Sequence, residues 1–262
     1  MEKINPKFKT VAIAAAKKAG MMLLKEFDRF DRSHIAFKSS KEVVTEFDTA
    51  AERIIRRELS RAFPDHGVLG EEEGEMENVK SDYLWIIDPI DGTTNFTFHN
   101  PLWSISIALA YQGQPIVGVV YLPVLKEMFV AIRHQGATRN GKKIRVSDVR
   151  SNRSIHTFCH GYLADDIKLA LKYYQKQKQS QFDCRQLGSA ALELAYVACG
   201  RVESLLIPGA KPWDIAAGIL LVREAGGQVT DLAGKQWQLS DRSVLATNAL
   251  LHDDILRLIR SL

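Results

Sequence analysis

The chain has 262 residues, of which 46% are hydrophobic and 25% are charged, as in an ordinary globular protein with a substantial core. It carries 35 lysine and arginine residues against 31 aspartate and glutamate residues, a net charge of +4. This small excess comes without a long basic run. We therefore expect no nucleic acid partner, and the charge weakly favours a small anionic ligand.

Cysteine usage and the first helix bear on the compartment. Cys159, Cys184 and Cys199 are widely spaced and form no C-x-x-C pair, so no disulfide framework is expected. A reducing cytosol is favoured, and the protein is expected to be cytoplasmic. Residues 11–24 are partly apolar but are interrupted by two lysines, which predicts an amphipathic helix. Neither a signal peptide nor a membrane span is expected there.

Hydrophobic periodicity predicts the elements of the first half of the chain. Helices are expected at 6–30 and 45–63, with a short strand or loop at 35–40 between them. Asn140-Gly141 is a strong hairpin signal. Strands are expected at 83–87, 102–110, 117–121, 128–133 and 142–146.

The second half alternates strands and helices, which predicts an α/β arrangement after an α+β half. Its strands are expected at 155–161, 202–207, 228–231 and 244–247. Its helices are expected at 165–177, 190–198, 214–225 and 252–259. No internal repeat or low-complexity linker is visible. We therefore predict a single unit with two subdomains, approximately 1–147 and 148–262.

The most informative stretch is residues 85–96, with the sequence WIIDPIDGTTNF. It begins as an apolar strand and then places Asp88 and Asp91 three residues apart. Pro89 lies between them and lacks a backbone N–H, so the segment is not expected to continue as a central strand. The Ile90 carbonyl is therefore expected to be free to point where the two carboxylates point.

Gly92 and Thr93 follow directly and predict the start of a new element with exposed N–H groups. Hard oxygen ligands beside free backbone donors suit a hard cation such as Mg²⁺ holding a phosphate. An alternative stays open, because Asp-Pro and Asp-Gly are common turn dipeptides and an Asx-turn needs no metal.

Two other acidic positions have both a structural and a functional interpretation. Glu71 opens the run 71–75 (EEEGE), which is typical of a solvated loop but stands just before the strand at 83–87. Asp214 stands at the start of a predicted helix, where a carboxylate stabilises the helix end by about 1 kcal/mol. The small residues 216–218 would let that helix pack closely and hold its carboxylate beside another site.

Taken together, these blocks resemble the inositol monophosphatase family of Mg²⁺-dependent phosphatases. The resemblance covers nearly the whole chain, in the right order. The matching blocks are Lys38-Ser39-Ser40 with Thr45 and Asp48, Gly70-Glu71-Glu72, Asp88 to Thr93, and Trp213 to Gly218 running on to Glu224-Ala225-Gly226-Gly227.

The resemblance implies a five-layer αβαβα sandwich of α/β and α+β halves with the site between them. It also implies a lithium-sensitive homodimer with two or three Mg²⁺ ions in each site. In similar enzymes the first ion is held by the equivalents of Glu71, Asp88, the Ile90 carbonyl and Thr93. A second is held by those of Asp88, Asp91 and Asp214, and a third, weaker ion involves Glu71.

Catalytic and phosphate-binding roles follow from the same resemblance. The backbone N–H groups of Gly92 and Thr93 would bind the phosphate. Asp48 and Thr93 would hydrogen-bond to each other and help orient the attacking water. Glu71, Thr93 and Asp48 are therefore the predicted catalytic residues. Lys38 is predicted either to stabilise the acidic loop or phosphate, or to be solvated.

The expected reaction is hydrolysis of a phosphate monoester by direct attack of metal-activated water, without a phosphoenzyme. Four clustered carboxylates would repel each other strongly without cations, which disfavours a metal-free interpretation. Other phosphatase chemistries lack their motifs. No cysteine is followed six positions later by arginine, and neither D-x-D-x-T nor G-x-x-x-x-G-K-[ST] occurs.

The substrate is less closely defined. The resemblance places Ile207 where inositol-specific relatives carry a glutamate, and an isoleucine cannot accept a hydrogen bond from a hydroxyl. Lys211 could attract a second anionic group or be exposed without a role, and Ala190 matches a backbone contact near the substrate. The predicted substrate-binding residues are Asp91, Ala190, Asp214, Ile207 and Lys211.

Three functions follow from these observations. Hydrolysis of inositol monophosphate or a related sugar phosphate ranks first. A bisphosphate substrate (fructose 1,6-bisphosphate, adenosine 3′,5′-bisphosphate or NADP) is the alternative. A catalytically idle regulatory scaffold is the third, and it is disfavoured because every proposed metal-binding position keeps its chemistry.

Overall fold

The computed structural model describes residues 4–31, 36–37, 43–75, 81–150 and 153–262. Its helices are α1 (Pro6–Phe27), α2 (Glu46–Ala62), α3 (Thr93–Thr97), α4 (Ala164–Gln179), α5 (Ala190–Ala198), α6 (Pro212–Glu224) and α7 (His252–Arg260). Its first strands are β1 (Ala36–Phe37), β2 (Val43–Val44), β3 (Gly67–Gly70), β4 (Gly74–Glu75), β5 (Tyr83–Asp91), β6 (Ser104–Tyr111), β7 (Gln114–Leu122) and β8 (Glu127–Ile132). The others are β9 (Gly136–Arg139), β10 (Lys142–Ile144), β11 (Ile155–Phe158), β12 (Asp183–Arg185), β13 (Ser204–Ile207), β14 (Gln228–Thr230) and β15 (Val244–Thr247).

Within these ranges, the larger sheet has eight strands in the order β10-β9-β8-β7-β6-β5-β3-β4. Neighbouring strands of this sheet pair antiparallel except β3 and β5, which are parallel, with Gly70 opposite Ile87. Parallel strands end at the same edge of a sheet. The turn after β3, which carries Glu71, therefore lies beside the end of β5, which carries Asp88.

The smaller sheet has five strands in the order β12-β11-β13-β15-β14. Strand β11 runs parallel to both β12 and β13, whereas β15 pairs antiparallel with β13 and β14. The two-stranded pair of β1 and β2 stands apart from both larger sheets.

The helices lie in three layers that alternate with the two larger sheets. Helices α1 and α2 cover one face of the eight-stranded sheet, and α5 and α6 lie between the two sheets. Helices α4 and α7 cover the outer face of the five-stranded sheet. This confirms the predicted αβαβα sandwich. The predicted subdomain boundary near residue 147 stays a prediction.

Small residues allow the middle layer to pack closely on the larger sheet. A Cβ atom added at Gly118 of β7 would lie 2.7 Å from the carbonyl oxygen of Ala217 in α6. One added at Gly218 would lie 2.5 Å from the Leu194 side chain of α5. The close packing predicted for residues 216–218 is therefore present, and it fixes the start of α6 against the sheet.

Most of the predicted elements are confirmed, with shifted ends. The first helix ends at Phe27 instead of residue 30, and the return strand of the Asn140-Gly141 hairpin is only Lys142–Ile144. Strands β2, β3, β4, β9 and β12 were not predicted. No helix among the described residues is both long and apolar enough to cross a bilayer.

The predicted strand end at residue 87 was wrong, because β5 continues to Asp91. The expectation that Pro89 would not lie in a central strand is confirmed. Pairing with β3 ends at Ile87, so beyond that point β5 pairs with β6 alone. The pairing with β6 shifts register between Asp88 and Asp91. A proline is tolerated where one side of the strand is unpaired and the ladder is irregular.

Candidate active site

The irregular end of β5 brings a carboxylate and a backbone carbonyl together. Asp88 is 2% exposed, and its Oδ1 accepts a hydrogen bond of 3.0 Å from the N–H of Ile90. The Asx-turn alternative is therefore present in the fold. It does not exclude a metal site, because the second carboxylate oxygen and the Ile90 carbonyl can still act as ligands.

Gly92 provides the sharp change of direction after β5. Its φ is 94°, a left-handed conformation that favours glycine, and it precedes α3 directly. An added Cβ would also lie 3.0 Å from the carbonyl oxygen of Gly188. The backbone can therefore turn tightly enough for Thr93 to begin a new helix facing the carboxylates.

Thr93 connects this turn with α2. Its hydroxyl lies 3.1 Å from Asp48 Oδ1 and 3.0 Å from the Ile90 carbonyl oxygen. One hydroxyl proton serves one acceptor at a time, so the two are alternatives or share a bifurcated bond. The predicted hydrogen bond between Asp48 and Thr93 is thus observed.

Asp48 is held by the start of its own helix. Its Oδ2 accepts hydrogen bonds from the Thr45 N–H at 2.8 Å and the Thr45 hydroxyl at 2.7 Å, which closes a capping box. Burial raises the pKa of Asp48 to about 6, although the Thr45 hydrogen bonds act in the opposite direction. The group therefore changes protonation state close to neutral pH.

Asp91 is held by the N-terminus of α5, from the other half of the chain. Its Oδ1 accepts from the Ala190 N–H at 3.0 Å, and its Oδ2 accepts from the Ala191 N–H at 2.8 Å. The hydroxyls of Ser189 and Ser104 also donate to Oδ2, at 2.5 and 3.1 Å. Burial raises the pKa of Asp91, and these donors oppose that shift by stabilising the charged form.

Asp214 lies in the first turn of α6 and is partly buried. Its Oδ2 accepts a hydrogen bond of 2.9 Å from the Lys211 N–H, so the capping interpretation is also present in the fold. Burial raises the pKa of Asp214 well above its usual range, and Asp91 is the next largest cause. A carboxylate that only caps a helix would not need a second carboxylate as its neighbour.

Glu71 lies in the turn between β3 and β4 and is partly buried. Burial raises the pKa of Asp88 well above its usual range, and repulsion by nearby carboxylates raises it further. Those carboxylates are, in order of effect, Glu71, Asp91, Asp214 and Asp48. The predicted acidic positions are therefore electrostatic neighbours.

The site fits a hard cation by its chemistry. Among the described residues, no three histidine, cysteine or acidic side chains already form a set that could hold a metal ion. The groups that surround Asp88 are nevertheless carboxylate oxygens, a hydroxyl and a carbonyl, which Mg²⁺ prefers. A cation would also relieve the repulsion that raises the carboxylate pKa values.

The predicted substrate residues lie in different settings. Ala190 gives its N–H to Asp91, as described above. Ile207 is the last residue of β13 and is 2% exposed in the central core. Lys211 is exposed, and its Nζ lies 5.9 Å from the centre of the Trp213 ring. Lys38, with its two serine neighbours, lies outside the described residues.

Sequence reasoning missed the side chains that join the two halves. Asn95 donates to the carbonyls of Leu102 at 2.6 Å and Leu187 at 2.8 Å. Ser189 precedes α5 in the manner of a capping residue, yet its hydroxyl donates to Asp91. A serine just before a predicted helix could have been noticed in the sequence, but its hydrogen-bond partner Asp91 is 98 residues away.

Glu193 of α5 supports the segment that reaches Asp91. It is completely buried, and its Oε1 accepts from the N–H groups of Leu187 at 3.0 Å and Gly188 at 3.1 Å. The Cys159 thiol donates to the same oxygen at 3.1 Å. Burial raises the pKa of Glu193 to about 7. This residue was not singled out from the sequence.

Comparison with known proteins agrees with this fold and chemistry. The model of the inositol monophosphatase family matches residues 5–262. The chain is 39% identical over 260 residues to the Nus factor SuhB of Pasteurella multocida, covering 98% of this chain and 97% of that protein. It is 39% identical over 249 residues to the fructose-1,6-bisphosphatase/inositol-1-monophosphatase of Thermotoga maritima, covering 95% of this chain and 94% of that protein.

A solved structure agrees with these sequence relatives. The extragenic suppressor protein SuhB of Bartonella henselae has a similar structure, with a TM-score of 0.89 at 35% identity, covering 96% of this chain and 97% of that chain.

The fold and these matches define a metal-dependent phosphatase, a hydrolase of small-molecule phosphate esters. The chain belongs to the inositol monophosphatase family.

Proposed function

We propose that this chain is a Mg²⁺-dependent phosphomonoesterase that hydrolyses inositol monophosphate or a related sugar phosphate by direct attack of water. The observation that carries the proposal is the environment of Asp88. This carboxylate is buried, and four other carboxylates raise its pKa further. Such a cluster is stable in its charged form when cations neutralise it.

Five groups would hold two or three Mg²⁺ ions. They are the carboxylates of Glu71, Asp88, Asp91 and Asp214 and the Ile90 carbonyl. When bound, the ions supply positive charge to the phosphate oxygens and lower the pKa of a bound water. The hydrogen bonds on Asp91 fix its orientation before any ion arrives.

Thr93 and Asp48 would orient the attacking water. When the Thr93 hydroxyl donates to Asp48, its oxygen lone pairs remain available to accept a hydrogen bond from water. Asp48 has a pKa of about 6, so above that pH it is a charged acceptor that keeps the hydroxyl in this orientation. The pair therefore supports a proton-accepting role near neutral pH.

The backbone N–H groups of Gly92 and Thr93 would bind the phosphate. They lie at the turn into α3, where N–H groups have no partner within the helix. Such groups bind anions through hydrogen bonds and the positive end of the peptide dipoles.

A bisphosphate substrate is the second candidate, favoured by one observation. Lys211 is exposed next to Trp213, and its charge acts on the carboxyl of Asp214, whose pKa it lowers. A cation so close to the site could bind a second phosphate. The name of the Thermotoga maritima relative includes fructose-1,6-bisphosphatase activity, which supports the same candidate.

The family resemblance also supports three further proposals: a homodimer, a cytoplasmic location and inhibition by lithium. Light scattering tests the homodimer, since a dimer would have twice the chain mass of 29.4 kDa. Fractionation of the source cells tests the cytoplasmic location. A lithium titration of phosphate release tests the inhibition.

Phosphate release from inositol 1-phosphate and from fructose 1,6-bisphosphate, each with and without Mg²⁺, tests the proposal. Mg²⁺-dependent release from inositol 1-phosphate supports the first candidate. Faster release from the bisphosphate moves the assignment to the second. A protein that binds Mg²⁺ in calorimetry but releases phosphate from neither ester would contradict both substrates, and one that also binds no Mg²⁺ would favour a regulatory scaffold.

A further inference from the structure

Helix α2 carries a buried ion pair one and two turns after Asp48. Glu52 is completely buried, Arg56 is 8% exposed, and the Arg56 Nε donates to Glu52 Oε1 at 2.8 Å. Residues four positions apart lie on the same face of a helix. Asp48, Glu52 and Arg56 therefore lie in a row along one face of α2. Asp48, at the start of the row, contacts Thr93, and Arg56 is farthest from it.

The Glu52 carboxylate binds the backbone of the turn that carries Glu71. Its Oε2 accepts from the N–H of Glu72 at 2.8 Å, and its Oε1 accepts from the N–H of Glu73 at 3.0 Å. The two peptide groups that follow Glu71 are therefore fixed by a side chain from another layer. Charge-assisted hydrogen bonds of this kind are the strong ones.

The Arg56 guanidinium binds the strands on both sides of the same turn. Its Nη1 donates to the Val68 carbonyl of β3 at 3.4 Å, and its Nη2 donates to the Gly74 carbonyl of β4. Its Nε also lies 3.6 Å from a carboxylate oxygen of Glu73. The turn is thus held at its two ends by the arginine and at its middle by the glutamate.

Gly70 makes room for this arrangement. A Cβ atom added to Gly70, the last residue of β3, would overlap the Glu52 carboxylate. The residue directly before Glu71 is therefore in contact with the same carboxylate that binds the two residues after it. Glycine is the residue that leaves this space empty.

We propose that Glu52 and Arg56 are positioning residues that hold the Glu71 turn against carboxylate repulsion and so set the affinity for Mg²⁺. Glu71 and Asp88 repel each other, so a turn free to move would carry Glu71 away from the site when no cation is bound. The buried pair prevents that movement. The metal consequence rests on the proposed function, whereas the anchoring of the turn does not.

Two variants test the proposal independently. Glu52→Gln removes the charge that the turn and Arg56 share. Gly70→Ala displaces the carboxylate without changing any charge. Glu58→Gln is the control, because Glu58 lies on the same helix but pairs with Lys18 on the exposed side.

The first measurement is amide hydrogen exchange in the metal-free protein. Exchange at Glu72 and Glu73 is expected to accelerate in Glu52→Gln and Gly70→Ala, while the amides of β5 keep their wild-type rates. If amide exchange accelerates throughout the protein, β5 included, Glu52 and Arg56 only stabilise the fold as a whole, and the proposal is overturned. Unchanged rates at Glu72 and Glu73 would overturn it as well.

The second measurement is the Mg²⁺ dissociation constant by calorimetry, followed by kcat at saturating Mg²⁺. The dissociation constant is expected to rise about 10- to 100-fold in both variants, as for other groups that orient metal ligands. Turnover at saturating Mg²⁺ is expected to stay within about threefold, because the ions then hold Glu71 themselves. Faster exchange with an unchanged dissociation constant would overturn the proposal.

The two proposals can fail separately. A wild-type chain that binds no Mg²⁺ would contradict the proposed function and the metal part of this inference together. Exchange at Glu72 and Glu73 would still decide whether the pair anchors the turn. A wild-type chain that binds Mg²⁺ with the same affinity as both variants would contradict this inference alone.

Discussion

The Thr93 hydroxyl lies 3.1 Å from Asp48 Oδ1, which joins the turn after β5 to the first turn of α2. The two residues are 45 positions apart in sequence. Asp48 is fixed by its capping box, and Thr93 is fixed by the left-handed Gly92. The contact therefore depends on two independently stabilised pieces of backbone, so its geometry is set before substrate binds.

Replacement of Thr93 by valine should remove this contact with little change in volume. We expect kcat to fall by about 100-fold or more, the range for loss of a group that handles the reacting proton. The measurement is kcat at saturating Mg²⁺ and substrate. Thr94→Val is the matched control, since Thr94 is exposed in the same helix and should keep kcat near the wild-type value. A Thr93→Val enzyme within threefold of the wild type would remove Thr93 from the catalytic residues.

Replacement of Ser189 by alanine should loosen Asp91 without removing it. Asp91 Oδ2 would keep two of its three donors. We expect the Mg²⁺ dissociation constant to rise about tenfold and the free energy of unfolding to fall by about 1–2 kcal/mol. Calorimetry and urea unfolding measure the two effects, and Ser261→Ala at the exposed end of the chain is the control. Unchanged Mg²⁺ binding would show that Ser189 only joins the two halves.

Glu193 should make the protein less stable as pH rises. Its pKa is about 7 in the folded chain against 4.5 for the ordinary group. Between these values the folded state binds more protons than the unfolded state, so the free energy of unfolding falls as pH rises from 4.5 to 7. Glu193→Gln removes this contribution and should reduce the loss between pH 5 and 8 by on the order of 2 kcal/mol.

Urea unfolding of the metal-free protein at several pH values measures the Glu193 effect. The other buried carboxylates contribute with the same sign, but they are present in both proteins and cancel in the difference. Glu46→Gln, which changes an exposed carboxyl, should keep the wild-type pH dependence. The same slope in Glu193→Gln and the wild type would show that Glu193 is charged throughout.

Replacement of Lys211 by alanine should separate the two candidate substrates. If Lys211 binds a second phosphate, KM for fructose 1,6-bisphosphate should rise about tenfold, the cost of one charge-assisted contact of about 1.4 kcal/mol. KM for inositol 1-phosphate should stay within about twofold, because that ester has no second phosphate. Equal effects on both substrates would indicate that Lys211 acts through Asp214 instead.

The layered fold and the acidic positions could be predicted because they leave local signals. Asp88, Asp91 and Gly92 lie in one short motif, and the small residues 216–218 predicted a closely packed helix. Hydrophobic periodicity predicted the ends of most helices and strands to within a few residues. The end of β5 was placed too early, at residue 87, because a proline is compatible with a strand that has lost one neighbour, and that loss is a property of the sheet.

The supporting contacts could not be predicted because they join distant segments. Ser189 reaches Asp91 across 98 positions, and Glu52 binds the N–H of Glu73 across 21. Neither partner is marked by composition or spacing. Glu52 and Arg56 resemble an ordinary surface pair four residues apart until the sheet buries them.

The central claim is that the buried carboxylates around Asp88 hold the cations that hydrolysis needs. Its most direct test is calorimetric Mg²⁺ titration of the wild type and of Asp88→Asn, with phosphate release measured on the same samples. We expect the wild type to bind Mg²⁺ and release phosphate, and Asp88→Asn to remain folded, bind Mg²⁺ at least about tenfold more weakly and nearly lose turnover. Wild-type affinity and turnover in Asp88→Asn would contradict the claim.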